Sequence, residues 1–220
     1  MSDPTTAADR LGTARLATLP AVVARPGYDR AKVTPGIVHL GLGAFSRAHL
    51  GVYTDDVLAS GATDWGIIGV NLRSPAIVDA LRPQDGLYTL LCRENGDDRL
   101  RVIGAFLDVM NAATELDAVL AAMAKPEIRV VTITVTEKGY CHDPATQRLN
   151  EAHPMVTADL ADPMHPRSLP GLIVEALRLR RDAGVPPFTV LSCDNLPQNG
   201  RITRAVVTRF AQLRDADLGR

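Results

Sequence analysis

The sequence predicts an α/β fold, a doubly wound, mostly parallel sheet with an antiparallel hairpin excursion. Three observations lead there. Short apolar runs alternate with helix-length segments, as parallel strands joined by crossover helices require. Those runs, such as IRVVTITV and WGIIGVNL, are nearly continuous, the mark of strands buried on both faces. One stretch, LYTLLCRENGDDRLRVIGAFL, breaks the alternation with two apolar runs around Asn95-Gly96, a tight-hairpin signal.

Residues 1–35 are rich in Pro, Thr and Arg and read as an irregular lead-in; 36–220 read as one domain. Gly36 to Leu40 is a buried strand ending at Gly41. Ser46 to about Ser60 reads as a helix closed by Gly61. Trp65 to Leu72 is a second strand. Ser74-Pro75 reads as a cap with Pro at the first helical position, opening a helix through Leu81. Thr114 is expected to cap a helix through Met123, with Leu116, Val119 and Leu120 on its apolar face. Ile128 to Val135 is a central strand. His142 to Pro166 is a long polar excursion with room for one short helix. Ser168 caps a helix through Ala183, with Gly184 past its end. Phe188 to Leu191 is another strand. Ile202, Ala205, Val206, Phe210 and Leu213 recur at helical spacing in the last helix.

The chain has 220 residues, 46% of them apolar, enough for a substantial core. A net charge of −1 gives no support for nucleic-acid binding. No apolar run is long enough to span a bilayer. The three cysteines, Cys92, Cys141 and Cys193, are odd in number and scattered, which fits a reducing cytoplasm better than a disulfide framework.

Ligands of such sheets bind beyond the carboxyl ends of the strands. Three strands end in unusual polar sequences: GLGAFSRAH, TEKGY and SCDNLPQNG. In the first, Gly41-x-Gly43-x-x-Ser46 lies between a strand and a helix, the context of a dinucleotide fingerprint. Gly41 allows a tight turn, Gly43 lets backbone approach a pyrophosphate, and Ser46 stands where a third small residue packs helix on strand. An ordinary βα turn with two glycines is the plain alternative. About 20 residues on, where a ribose-binding acid is expected, the chain reads Asn71-Leu72-Arg73 without a carboxylate. Asn71 suits a ribose hydroxyl. Arg73 suits a 2′-phosphate, which would favour NADP, or is a solvated surface residue. The choice between NAD and NADP stays open.

Glu137 and Lys138 at a strand end suit proton transfer, or simply a surface turn at Gly139. Asn195 offers neutral donors for a carbonyl or alkoxide, whereas Asn199 reads equally as a helix cap. Cys193 has no basic neighbour and reads as a small core residue. Cys141, His142 and Asp143 are adjacent and point apart on an extended segment, and no second cluster has zinc-site spacing, so no metal is expected. His39 reads as a satisfied core histidine. Arg47 and His49 either pin the first helix or line the cleft.

GLGAFSRAHLGVYTDD, WGIIGVNLRSP, QDGLYTL, TEKGYCHDPAT and PFTVLSCDNLPQNG, in this order, resemble the mannitol dehydrogenase family of long-chain polyol and hexuronate dehydrogenases. The resemblance runs from about Pro35 to the C-terminus. It implies a Rossmann-type domain binding NAD(H) or NADP(H), and metal-independent hydride transfer between a secondary alcohol and a ketone. Mannitol/fructose and mannonate/fructuronate are the kind of small-molecule pair implied; the charge and hydropathy already lead to the expectation of neither nucleic acid nor membrane as partner. By matching position, Gly41, Gly43, Ala44, Phe45 and Arg47 fall in the cofactor loop, Asn195 on the family's oxygen-stabilising Asn, and Glu137 on its Glu near the proton path.

Two departures stand out. The family often has His where this chain has Ser46. It also continues into a helical domain carrying a catalytic Lys, and no such motif appears before Arg220, since Lys32, Lys125 and Lys138 are the only lysines. The chain is therefore read as the cofactor half of such an enzyme, its helical domain absent or on a separate partner. The alternative is a module that binds a nicotinamide nucleotide and catalyses nothing.

Overall fold

In the computed structural model, which describes residues 10–94 and 96–220, the chain opens with two 3-10 turns, Thr13–Thr18 and Arg30–Lys32, flanking the two-residue strand β1 (Val23–Ala24). Strand β2 (Pro35–Leu40) leads into α1 (Ala44–Ala48) and α2 (Leu50–Ala59). Next come β3 (Gly66–Asn71), α3 (Ala76–Leu81), β4 (Tyr88–Glu94), β5 (Asp97–Ile103) and β6 (Phe106–Asn111). The remainder is α4 (Leu116–Ala124), β7 (Val130–Ile133), β8 (His142–Asp143), β9 (Arg148–Leu149), α5 (Pro154–Ala161), α6 (Leu169–Asp182), β10 (Thr189–Ser192) and α7 (Asn199–Arg214).

Five strands pair in the order β10-β7-β2-β3-β6, all parallel. Counted along the sheet this is 5-4-1-2-3, the doubly wound Rossmann order, with β2 central. Alternate residues of one strand feed opposite cores, as a period of two demands. Val38, Leu40, Ile68 and Val70 pack with α4, α6 and α7. Ile37 and Ile67 pack with Leu58 of α2 and with Val78 and Leu81 of α3.

The hairpin forms as expected: β4 and β5 pair antiparallel from Tyr88–Ile103 to Glu94–Asp97. Of its expected Asn95-Gly96 turn, Asn95 lies outside the described residues. β1 joins parallel to β5 and makes a separate three-stranded sheet. Arg30 fastens the N-terminal segment: its guanidinium donates to the carbonyls of Gly104 (2.9 Å), Phe106 (2.8 Å) and Asp85 (2.7 Å).

Five details depart from the sequence reading, the first being that Pro75, not Ser74, holds the cap position before α3. FLDVMN is a strand of the main sheet, β6, separated from the hairpin at Gly104. The helix after β2 breaks at His49, because the Tyr88 hydroxyl donates to the Arg47 carbonyl at 2.6 Å and competes for that helical acceptor. Thr114 does not cap α4; Glu115 holds that place and its carboxylate accepts from Asn111 N at 3.0 Å. Asn199 opens α7 rather than capping it, and the cap position is Gln198 at φ 56°.

Candidate functional site

Pairing register puts the polar strand ends in one row. Ser192 and Leu40 both lie level with Ile133, and Val70 lies level with Leu40. GLGAFSRAH, TEKGY and SCDNLPQNG therefore leave the same edge of the sheet. With β7 between them, the segments bearing Gly41 and Asn195 start about 10 Å apart, two strand spacings.

Gly41 adopts φ +102° and donates to Val70 O at 2.8 Å. A Cβ there would overlap the Thr134 carbonyl, so only glycine fits. The loop rests on His39, which is fully buried. His39 Nε2 lies 3.1 Å from Gly41 O and 2.9 Å from Thr134 Oγ1, and Nδ1 lies 2.8 Å from Thr132 Oγ1. A carbonyl only accepts, so Nε2 carries the hydrogen and Nδ1 accepts from Thr132. Burial pushes His39 down to about 4 and keeps it neutral at pH 7.

Gly43 is different. Its φ of −99° suits any residue, and an added Cβ would meet nothing closer than Gly41 O at 3.7 Å. No side chain of the described residues caps α1, so its first amide hydrogens remain available to an acceptor. Ser46 is buried and its hydroxyl donates to Gly43 O at 3.0 Å. The tightest helix packing falls elsewhere, at Gly51, where a Cβ would overlap the Tyr88 hydroxyl and come within 2.9 Å of Phe106. Arg47 pins its own loop, donating to Leu42 O at 3.4 Å, while Phe45 is exposed and its ring lies tilted against His49, centroids 4.5 Å apart.

The other two strand ends are laced together by Asp194, which the sequence reading passed over. Its Oδ2 accepts from Val135 N at 3.1 Å and from the Tyr140 hydroxyl at 2.5 Å. Tyr140 in turn lies 2.6 Å from Ser192 Oγ. Burial raises the Asp194 carboxyl, and the two hydrogen bonds partly oppose that. Burial, with Asp194 alongside, also raises the Tyr140 phenol. Asn199 Nδ2 bridges the carbonyls of Ser192 (3.2 Å) and Asp194 (2.9 Å), which is its role here. The scaffold leaves two side chains outward. Asn195 is exposed and without a hydrogen bond among the described residues. Glu137 is exposed, with the nearly buried His142 imidazole 3.7 Å from its carboxylate. Burial raises the thiols of Cys193 and Cys141, the latter to about 11, which leaves these two protonated and unreactive at neutral pH.

Two cavities, about 530 and 330 Å³, share Leu72, Arg73, Met155 and Arg167. The smaller is lined by Gly41, Gly43, Asn71 and the 134–136 strand end. The larger continues past Ala112, Ala113 and His165. Of the expected residues, Gly41, Gly43, Asn71 and Arg73 line this double cavity. Ala44, Phe45, Arg47, Glu137 and Asn195 lie outside its walls. Arg167 was not anticipated, because nothing in its Pro- and Asp-rich surroundings sets it apart in sequence. Among the described residues no carboxylate lines either cavity, the chemistry of a site for an anionic ligand. Among the described residues, no group of three or more His, Cys, Asp or Glu is placed to hold a metal ion.

Residues 35–218 match the family described as the mannitol dehydrogenase Rossmann domain. Mannitol 2-dehydrogenase of Cereibacter sphaeroides is 46% identical over 199 residues, which cover 89% of this chain and 42% of that protein. D-mannonate oxidoreductase of Escherichia coli K12 is 42% identical, covering 89% and 41%. The solved ternary complex of Pseudomonas fluorescens mannitol 2-dehydrogenase with NAD and D-mannitol superposes with a TM-score of 0.91 at 42% identity, covering 95% of this chain and 43% of that one. The chain thus spans less than half the length of the relatives it matches.

Proposed function

Because the chain belongs to the mannitol dehydrogenase family, matching its Rossmann domain over residues 35–218, we propose that it is the cofactor domain of an NAD(P)-dependent oxidoreductase. The substrate class is a polyol or hexuronate, whose secondary alcohol is interconverted with its ketone. The observation that carries the reading is Gly43, a glycine that nothing among the described residues requires, at the wall of a cavity that none of their carboxylates lines, beside the central strand.

Gly41 and Gly43 with the first amides of α1 would hold the pyrophosphate. Asn71 would take a hydroxyl of the adenosine ribose. A bound nicotinamide supplies the hydride acceptor or donor. The Asn195 amide would donate to the reacting oxygen, stabilising the charge that develops as the alcohol loses its proton. Glu137, paired with His142, would pass that proton toward solvent. In this reading a helical domain, on the same polypeptide or another, supplies the base that first takes it. Lys138 stands exposed in the 137–140 turn and belongs to the scaffold of the strand end.

Fluorescence titration with NADH and NADPH, followed by assays with mannitol and mannonate, tests this. Binding of either nucleotide is expected, and failure of both to bind refutes the reading. With the helical domain present, Asn195→Ala is expected to lose turnover while keeping nucleotide affinity.

A further inference from the structure

The wall shared by the two cavities carries two guanidiniums, Arg73 from the end of β3 and Arg167 from the loop before α6. Both are exposed, and among the described residues neither has a carboxylate partner. Arg73 has only the Met155 sulfur, at 3.7 Å, and the Arg167 side chain has no hydrogen-bond partner among the described residues. The imidazole of the larger cavity, His165, is already paired with Asp162 at 3.0 Å. Two like charges at one wall, with no acid of the described residues lining it, repel each other, and an anion between them relieves the repulsion.

The loop that presents Arg167 is built for the purpose of holding its backbone. The buried Asp159 accepts from Arg167 N (2.9 Å), Ser168 N (2.8 Å) and the Ser168 hydroxyl (2.6 Å). Its carboxylate is thereby occupied by the loop. Gly171 keeps α6 close, since a Cβ there would overlap Asp159 Oδ2.

Position selects the anion. The Gly41–Gly43 loop lies at the smaller cavity, whereas both arginines also face the larger one beyond Leu72. In a doubly wound sheet, the residues after the second strand of this order address the 2′ position of the adenosine ribose. Here that stretch is Asn71-Leu72-Arg73, with no acid to accept from a 2′-hydroxyl. A phosphate monoester carries close to two negative charges and accepts bidentate pairs from arginine. We propose that Arg73 and Arg167 clamp the 2′-phosphate of the cofactor, so that the site takes NADP(H) in preference to NAD(H). The proposal rests on the reading of the cavity as a nicotinamide-nucleotide site.

Fluorescence titration of the 220-residue chain with NADPH and NADH, with 2′,5′-ADP and 5′-AMP as competitors, tests it. NADPH is expected to bind at least about tenfold more tightly than NADH, and 2′,5′-ADP to outcompete 5′-AMP by a similar factor. Arg167→Ala is expected to weaken NADPH about tenfold and NADH by less than about threefold, with Arg167→Lys between the two and thermal midpoints unchanged. Arg73→Ala is expected to behave alike. NADH binding as tightly as NADPH overturns the clamp and leaves the nucleotide site standing. Equal weakening of both nucleotides by Arg167→Ala also overturns it, by moving the guanidinium onto the pyrophosphate. Binding of neither nucleotide overturns the clamp and the nucleotide site together.

Discussion

Tyr140 donates its hydroxyl hydrogen to the Asp194 carboxylate and so joins the turn bearing Glu137 to the loop bearing Asn195. The bond spans 54 positions and acts with Val135 N on the same oxygen. Removing the hydroxyl leaves a half-buried carboxylate short of one donor. Tyr140→Phe is therefore expected to cost about 1–3 kcal/mol in urea denaturation. Asp194→Asn keeps an acceptor for both donors and should cost less. A Tyr140→Phe variant within about 0.5 kcal/mol of the parent would mean that the network does not brace these loops.

The two glycines of the loop separate a demand of the fold from a demand of the ligand. At Gly41 a methyl group collides with the Thr134 carbonyl in a left-handed backbone, so Gly41→Ala is expected to lose more than about 2 kcal/mol of stability. At Gly43 neither constraint holds, and Gly43→Ala should unfold within about 0.5 kcal/mol of the parent. If backbone there approaches a pyrophosphate, the same variant loses at least about tenfold in NAD(P)H affinity. Paired denaturation and fluorescence titrations check both halves. Unchanged affinity in Gly43→Ala would remove the main support for the proposed function.

Local pattern explains which parts could be read in advance. β2, β3 and β7 are apolar runs with turn residues behind them, and α6 has both its signals, the Ser168 cap and Gly184 at φ +67°. β6 was hidden because Asp108 and Asn111 interrupt its apolar pattern and its start runs on from the hairpin. The break at His49 comes from the Tyr88 hydroxyl, 41 positions from the Arg47 carbonyl it bonds, Asp194 matters through partners distant in sequence, and Arg167 stands out only by the cavity wall it shares with Arg73. Motif spacing marks Gly41 and Gly43 alike. Only the packing around each tells that one serves the fold and the other has open space.

His39 sets a pH signature beneath the loop. Its folded value of about 4 lies below the unfolded 6.5, because burial disfavours the imidazolium. Between these values the unfolded chain binds more protons, so stability rises with pH. The stabilisation is complete above pH 6.5 and is lost as pH falls toward 4, amounting to about 3 kcal/mol. His39→Gln should flatten this part of the curve. His165, raised by its bond to Asp162, works in the opposite sense but is common to both proteins and cancels in the difference. Equal pH slopes for parent and variant between pH 5 and 6.5, measured by denaturant unfolding, would exclude a neutral buried His39.

A second, more acidic window belongs to Glu175, almost wholly buried between α6 and α7. Burial raises its carboxyl, but the Arg178 bonds at 2.9 and 3.0 Å and the Arg214 pair outweigh that, and its net position is below the usual 4.5. A depressed carboxylate gives stability that is present above its unfolded value and lost as pH falls through the folded one. Arg214 already has one buried guanidinium nitrogen without a partner among the described residues. Neutralising Glu175 strands the rest of that charge between the helices. Glu175→Gln should therefore cost about 3 kcal/mol at pH 7. The gap between variant and parent should narrow as the solution is acidified below pH 4.5, where the parent progressively protonates the same group. A gap that stays constant down to pH 3 would assign the loss to packing instead of charge, because packing carries no proton linkage.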